Sequence, residues 1–226
     1  MTTIIVTNNY LIADHRSSYD LIGKGAHFSI TDSIVKEVRS KGESVTRDNL
    51  LKIKLFKDDE VFYMEDKKAI AWAMAGKMTS WGGVFESINF TKEVESLDYL
   101  VKTLLFKLRK EQNKIIFYIE NGDSVLVDLE NSVLKVFRGE YFQVFGSGSD
   151  VETHLDLSKE FYSLPLNEIY SVLAITCPYT SLSYSDLGRR EKEFFPYVKE
   201  DQEAFIEKAK RLREKHSFLF NPTNVY

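Results

Sequence analysis

Thr2 and Thr3 directly follow Met1, and a threonine that becomes N-terminal carries two reactive groups on one residue. Removal of Met1, which a side chain as small as that of Thr2 permits, leaves a hydroxyl beside a free α-amine. An α-amine titrates near ~7.7–8.0, so at neutral pH an unprotonated fraction can accept the hydroxyl proton, directly or through a water. That is the threonine version of an activated nucleophile. The plain alternative is that Met-Thr-Thr is a common start to a chain. Lys52 and Lys54, two apart in "LKIKLF", belong on one face of a strand, which is either part of a site or a wet edge. Gly76 closes the apolar run "KAIAWAMAG", where a glycine either lets a substrate backbone approach closely or simply ends a strand. "GSGS" is a turn in which Ser149 or Asp150 can cap the helix that follows. The four histidines, His15, His27, His154 and His216, lack metal-ligand spacing. "GKGAHF" lacks the lysine-serine ending of a phosphate loop and reads as a turn.

Such groups act only when a rigid frame holds them. "TIIV" and "YLIA", separated by "TNN", predict a β-hairpin at the very start of the chain. The stretch "SITDSIVKEVRSKGESVTRDNL" suggests a short helix within a mobile insertion. "LKIKLF", "DEVFYM" and "KAIAWAMAG" read as strands. The period then changes. "TSWGGVFESI" and "TKEVESLDYLVKTLLFKLRKEQN" predict helices, the second with Thr91 as N-cap and a stripe of Val94, Leu97, Leu100, Val101, Leu104, Leu105 and Leu108. Strands return in "KIIFYIE", "SVLVDL", "VLKVFRGE" and "YFQVFGSGS". Helices are expected from Asp150 and over 166–175, then a broken helical tail interrupted at Pro196. Strand blocks alternating with helix blocks predict two stacked antiparallel sheets between helical layers.

The chain has 226 residues, enough for one large domain with a real core, and its 43% hydrophobic and 28% charged residues are ordinary for a globular protein. A formal net charge of −4, with both signs interspersed, argues against nucleic acid as the main partner. Cys177 is the only cysteine, which rules out an intramolecular disulfide and fits a reducing compartment. No apolar run approaches the ~20 residues that cross a bilayer, and no basic-then-apolar leader pattern opens the chain. The expectation is a soluble, cytoplasmic protein without a membrane partner.

Six segments, in one order, resemble the proteasome β-subunit family of N-terminal nucleophile (Ntn) hydrolases, and within it the bacterial HslV-like branch. They are "TTIIV", "LIADHR", "KIKLF", "AIAWAMAGKMTSW", "FQVFGSGSDVETHL" and "LAITCPYTSLS", spanning residues 2 to 183. The resemblance implies an α+β fold: a four-layer αββα sandwich over 1–186 with an insertion at 31–50, then a helical C-terminal extension over 187–226. It implies a threonine peptidase with Thr2 as nucleophile, Lys52 lowering the cost of the developing alkoxide, and Asp14 orienting that lysine. Lys54 is the alternative if the register slips. The Gly76 amide would donate to the oxyanion, and Ser147 would hydrogen-bond the α-amine of Thr2. Backbone carbonyls of Ala174, Cys177 and Thr180 would hold a monovalent cation, Na+ or K+, and no other cofactor is required. The expected partners are further copies of the chain in a hexamer or double ring, and peptide or unfolded protein as substrate. An ATP-dependent unfoldase is a partner that the resemblance allows and no residue pattern specifies.

A rival from another class is an assembly or scaffold protein that keeps this fold and does not cut. The insertion and the charged stretch from Arg189 to His216 would then be binding surfaces. Hydrolysis of a small amide is a third possibility within the same fold class, and the order of the six segments argues against it.

Overall fold

Asn8 and Asn9 turn the chain between two antiparallel strands, β1 (Thr3–Thr7) and β2 (Tyr10–Asp14). Thr7 Oγ1 fixes the turn by accepting the backbone N–H groups of Asn9 and Tyr10, each at 3.1 Å. The expected hairpin is therefore present. The computed structural model describes residues 2–20, 34–39, 42–48, 50–77, 80–146, 149, 168, 170, 181, 184–188, 194–196, 207, 210, 211, 214 and 215.

The next strands depart from expectation. β3 (Arg16–Asp20), β4 (Ile34–Arg39) and β5 (Gly42–Asp48) form a separate three-stranded antiparallel sheet in the order β3-β5-β4. The short helix expected here is absent over 34–39 and 42–48. The sequence contains "SIVKEVRS" and "GESVTR", whose β-branched Ile34, Val35, Val38, Val45 and Thr46 favour a pleated pairing over a helix.

β6 (Ile53–Leu55), the two-residue β7 (Tyr63–Met64) and β8 (Lys67–Gly76) follow, so that "DEVFYM" contributes only its last two residues. The chain then forms helices α1 (Trp81–Thr91) and α2 (Leu97–Lys107). Thr91 does not cap α2. It ends α1, and a 3-10 turn over Lys92–Val94 leads to Glu95 in the left-handed region (φ 52°). Ser96 is the N-cap instead: its extended backbone breaks the helix, and its side chain accepts the Tyr99 N–H at 3.3 Å. Val94 consequently lies off the apolar stripe and is exposed, while Leu97, Leu100, Val101 and Leu104 are buried. Gly83 lets the helices approach, since a Cβ there would lie 2.6 Å from a Leu108 methyl.

β9 (Asn113–Ile119), β10 (Ser124–Asp128), β11 (Val133–Phe137) and β12 (Phe142–Gly146) come next, then β13 (Tyr184–Gly188) and β14 (Phe194–Pro196). The expected helix interrupted at Pro196 is replaced here by a strand. Phe194–Pro196 pairs with β13, and a proline suits the end of a terminal strand. Of the helices expected from Asp150 and over 166–175, only Glu168 and Tyr170 are described, and both are helical.

Two principal sheets result, β12-β1-β2-β13-β14 and β11-β10-β9-β8-β6, both antiparallel. Period-two alternation sorts their side chains. Ala71, Ala73 and Ala75 of β8, with Ile116 and Tyr118 of β9, pack against Ile4, Val6, Leu11 and Ala13 of the first sheet. Trp72 and Met74, with Ile115 and Phe117, point the other way, against Val84, Ile88, Leu100 and Leu104 of the helices. From Ala71 to Ala75 the small residues of β8 thus lie between the sheets and the large ones under the helices. The fold is α+β, with sheet packed on sheet and α1–α2 outside the second. Ile5 and Ile12, on the far face of the first sheet, are buried as well. Among the described residues, no helix is long and apolar enough to cross a membrane.

Candidate active site

Asp14 is the last residue of β2 and is fully buried, so its carboxylate needs partners. It has four. Oδ1 accepts the Thr3 N–H at 2.8 Å and the Lys52 ammonium at 2.6 Å. Oδ2 accepts the N–H groups of Arg16 at 3.2 Å and Ser181 at 3.3 Å. The Lys52 side chain is only 1% exposed, so this is an ion pair inside the protein and not on its surface. One carboxylate oxygen serves both the Thr3 amide and the ammonium. The cation therefore stands within two hydrogen-bond lengths of the peptide bond that joins Thr2 to Thr3.

The structure also separates the two candidate lysines. Ile53 faces the space between the sheets, and Lys54, one step on, faces the helices, its ammonium 5.2 Å from the centre of the Trp81 ring. Burial there lowers the Lys54 pKa below the ordinary lysine value. Lys52 does not share that face, because the strand begins only at Ile53 and the preceding chain turns towards Asp14. The expectation that both lysines lie on one strand face is thus corrected.

Thr2 is buried and sits one residue before the Thr3–Gly146 pair of the β1–β12 ladder. Gly146 has φ +86°, and a Cβ there would lie 1.9 Å from the Thr2 carbonyl oxygen and 3.3 Å from the Ala75 Cβ. Only glycine permits that approach. It brings Thr2 beside the end of β8, where Gly76 follows Ala75. Gly76 itself has φ +128°, and a Cβ on it would meet Asn113 Oδ1 at 2.0 Å and the Gln112 carbonyl at 2.2 Å. The glycine is demanded by this strand end as well as by any oxyanion.

Thr2, Asp14, Lys52 and Gly76 are thus gathered at one end of the sandwich. Ser147 lies outside the described residues; on its two sides, Ser149 Oγ donates to the Gly146 carbonyl at 2.7 Å. Ala174, Cys177 and Thr180 also lie outside the described residues.

Several contributors carried no signal in the sequence. Asn113 is buried beside Gly76, and its Nδ2 donates to Ser80 Oγ at 2.5 Å, while that hydroxyl donates to Glu111 Oε2 at 3.1 Å. The Ser181 amide reaches Asp14 from 167 positions away. His15, next to Asp14, is buried and hydrogen-bonded through Nε2 to Ser185 Oγ at 2.5 Å, which accounts for it as a satisfied core histidine.

No known family model matches this chain, and no curated protein resembles it in sequence to a significant degree.

Proposed function

We propose that the protein is an N-terminal threonine hydrolase of the proteasome β-subunit/HslV type, cutting peptide bonds after Met1 is removed. The observation that carries this reading is the buried Lys52–Asp14 pair joined to the Thr3 amide. A fixed ammonium near the Thr2 backbone is what a threonine nucleophile needs to lower the cost of its alkoxide. The Thr2 hydroxyl attacks the substrate carbonyl and passes its proton to the α-amine, while the Gly76 amide stabilises the oxyanion. The leaving amine takes up a proton as an ester forms on Thr2, and water then hydrolyses that ester to restore the hydroxyl. Ser147 assists at the α-amine, and carbonyls of Ala174, Cys177 and Thr180 hold a monovalent cation.

At the level of architecture the proposal is a four-layer αββα sandwich. The burial of Ile5, Ile12 and Tyr170 supports a layer beyond the first sheet. The protein works as a homo-oligomeric ring, a hexamer or double ring, in the cytoplasm, on peptides or unfolded protein that an ATP-dependent unfoldase can deliver.

One observation favours the scaffold reading. Apart from Lys52, the partners of Asp14 are backbone amides of Thr3, Arg16 and Ser181, as in a joint that only holds segments together. Intact-mass measurement and peptide hydrolysis on the purified native protein separate the two. Loss of Met1, with hydrolysis abolished by Thr2→Ala and retained in part by Thr2→Ser, is the expected result. Retention of Met1 with no hydrolysis leaves the scaffold. Sedimentation at a multiple of the 26.2 kDa chain mass tests the ring.

A further inference from the structure

A cavity of about 460 Å³ lies between β12 and the strands β9, β10 and β11. Phe137 and Phe145 line it together with Lys114, Lys135, Asp128 and Gln143, so its wall is mixed, apolar and charged. Thr2, Asp14, Lys52 and Gly76 do not line the cavity, but residues of its wall connect to their neighbours on two sides. Ser149, in its wall, is bonded to the Gly146 carbonyl, and Gly146 packs on the Thr2 carbonyl. Lys114, opposite, pairs across the ladder with Ala75, one residue before Gly76.

The charges in this wall are not balanced. Asp128 is nearly buried and already accepts the Asn131 N–H and the Asn131 Nδ2, both at 3.0 Å. Lys114 reaches it only at 3.9 Å and remains 43% exposed. Lys135 is exposed and forms no ion pair among the described residues. Lys135 stands opposite Leu126 on β10, and Lys114 opposite Asp128, so two lysines line one cavity from two different strands. A volume in the range of small-ligand clefts, with a mixed wall that includes Phe137 and Phe145 and two incompletely engaged cations, fits a short peptide segment bearing a carboxylate.

We propose that this cavity is the substrate pocket of the Thr2 site and that it selects a carboxylate-bearing peptide segment through Lys135 and Lys114. The inference rests on the reading of Thr2 as nucleophile for its meaning, and on the cavity alone for its test. The carboxylate can come from an acidic side chain or from a peptide's own C-terminus. Three fluorescein-labelled tetrapeptides distinguish these sources: an amidated one with two glutamates, its amidated glutamine counterpart, and the glutamine peptide with a free C-terminus. Binding is followed by anisotropy on the Thr2→Ala protein at low salt.

One or both carboxylate probes bind about 3- to 10-fold tighter than the amidated glutamine probe, the size of a partly screened charge contact. Raising the salt erases the difference. Lys135→Gln collapses the preference, and Asp128→Asn, which removes the one negative charge without changing shape, enlarges it. Equal binding of all three probes overturns the proposal, as does a preference indifferent to both substitutions. Charge-selective binding by a protein that hydrolyses nothing refutes the nucleophile and spares the pocket. Hydrolysis without charge-selective binding does the reverse.

Discussion

The Asp14 carboxylate binds four donors and Lys52 carries one buried charge, so removing either partner exposes the other to a large desolvation cost. Lys52→Met strands a carboxylate in the interior and is expected to destabilise the fold by about 3–5 kcal/mol. Asp14→Asn combined with Lys52→Met should lose less than the single changes added together, and urea unfolding of the four proteins in that cycle measures the coupling. Gly146 makes a different demand. Its positive φ and the contact with the Thr2 carbonyl leave no room for a methyl, so Gly146→Ala should cost about 1–3 kcal/mol in backbone strain alone and displace Thr2. Loss of the thermal transition midpoint together with loss of peptide hydrolysis is the expected pair of readings. A variant with normal midpoint and normal turnover contradicts the close approach.

At the scale of elements, the break between α1 and α2 shows a local signal overruled by a better one. Thr91 is a credible cap by residue type, but its hydroxyl donates back to the Ser87 carbonyl at 2.8 Å and so stays inside α1. Ser96 has the extended backbone that a cap requires. Ser96→Ala is therefore expected to cost about 1 kcal/mol, and Thr91→Ala to leave the Tyr99 amide bond intact. Circular dichroism during thermal unfolding checks the order of the two. The segment at 34–48 shows a weaker reading failing for another reason. Its charges suggested a solvated helix, yet β4 and β5 pair in a ladder of six, with Val35 opposite Thr46, Lys36 opposite Val45 and Val38 opposite Glu43. Charged residues are compatible with either state, so only the pairing partner β3 decides.

For the whole molecule, acid provides the readiest test of how charge and burial are combined. Burial alone would push the Asp128 carboxyl up, but the hydrogen bonds from Asn131 and the Lys114 ammonium outweigh it and hold the pKa below the ordinary value. A carboxyl depressed in the folded state adds stability above its unfolded pKa and loses it as pH falls through the folded value. Asp128→Asn should therefore narrow the gap between the urea midpoints at pH 7 and pH 3. An unchanged gap would show that the carboxyl gains nothing from its partners. The two-sheet body also explains why the buried residues that β8 places between the sheets are Ala71, Ala73 and Ala75. Sheets that meet closely between Ala71, Ala73 and Ala75 and the first hairpin bring the Thr2 backbone near Ala75, the residue before Gly76.

The residues alone determined the hairpin at 3–14, the alternation that sorts β8 and β9 between two cores, and the possibility of nucleophile and amine on one Thr2, because each depends on neighbours a few positions apart. They also singled out Gly76 as a place where the backbone does something special, whereas the demand on Gly146 emerged only with the contact to Thr2. Only the closing of the sandwich decided that Lys52 and not Lys54 meets Asp14, and that a carboxylate gathers amides from 11 and 167 positions away. It also set Asn113 against Gly76, a contact with no pattern in the chain. Contacts of that kind come from how two sheets face each other, and the period of a strand says which side a residue points to but not what it will meet there.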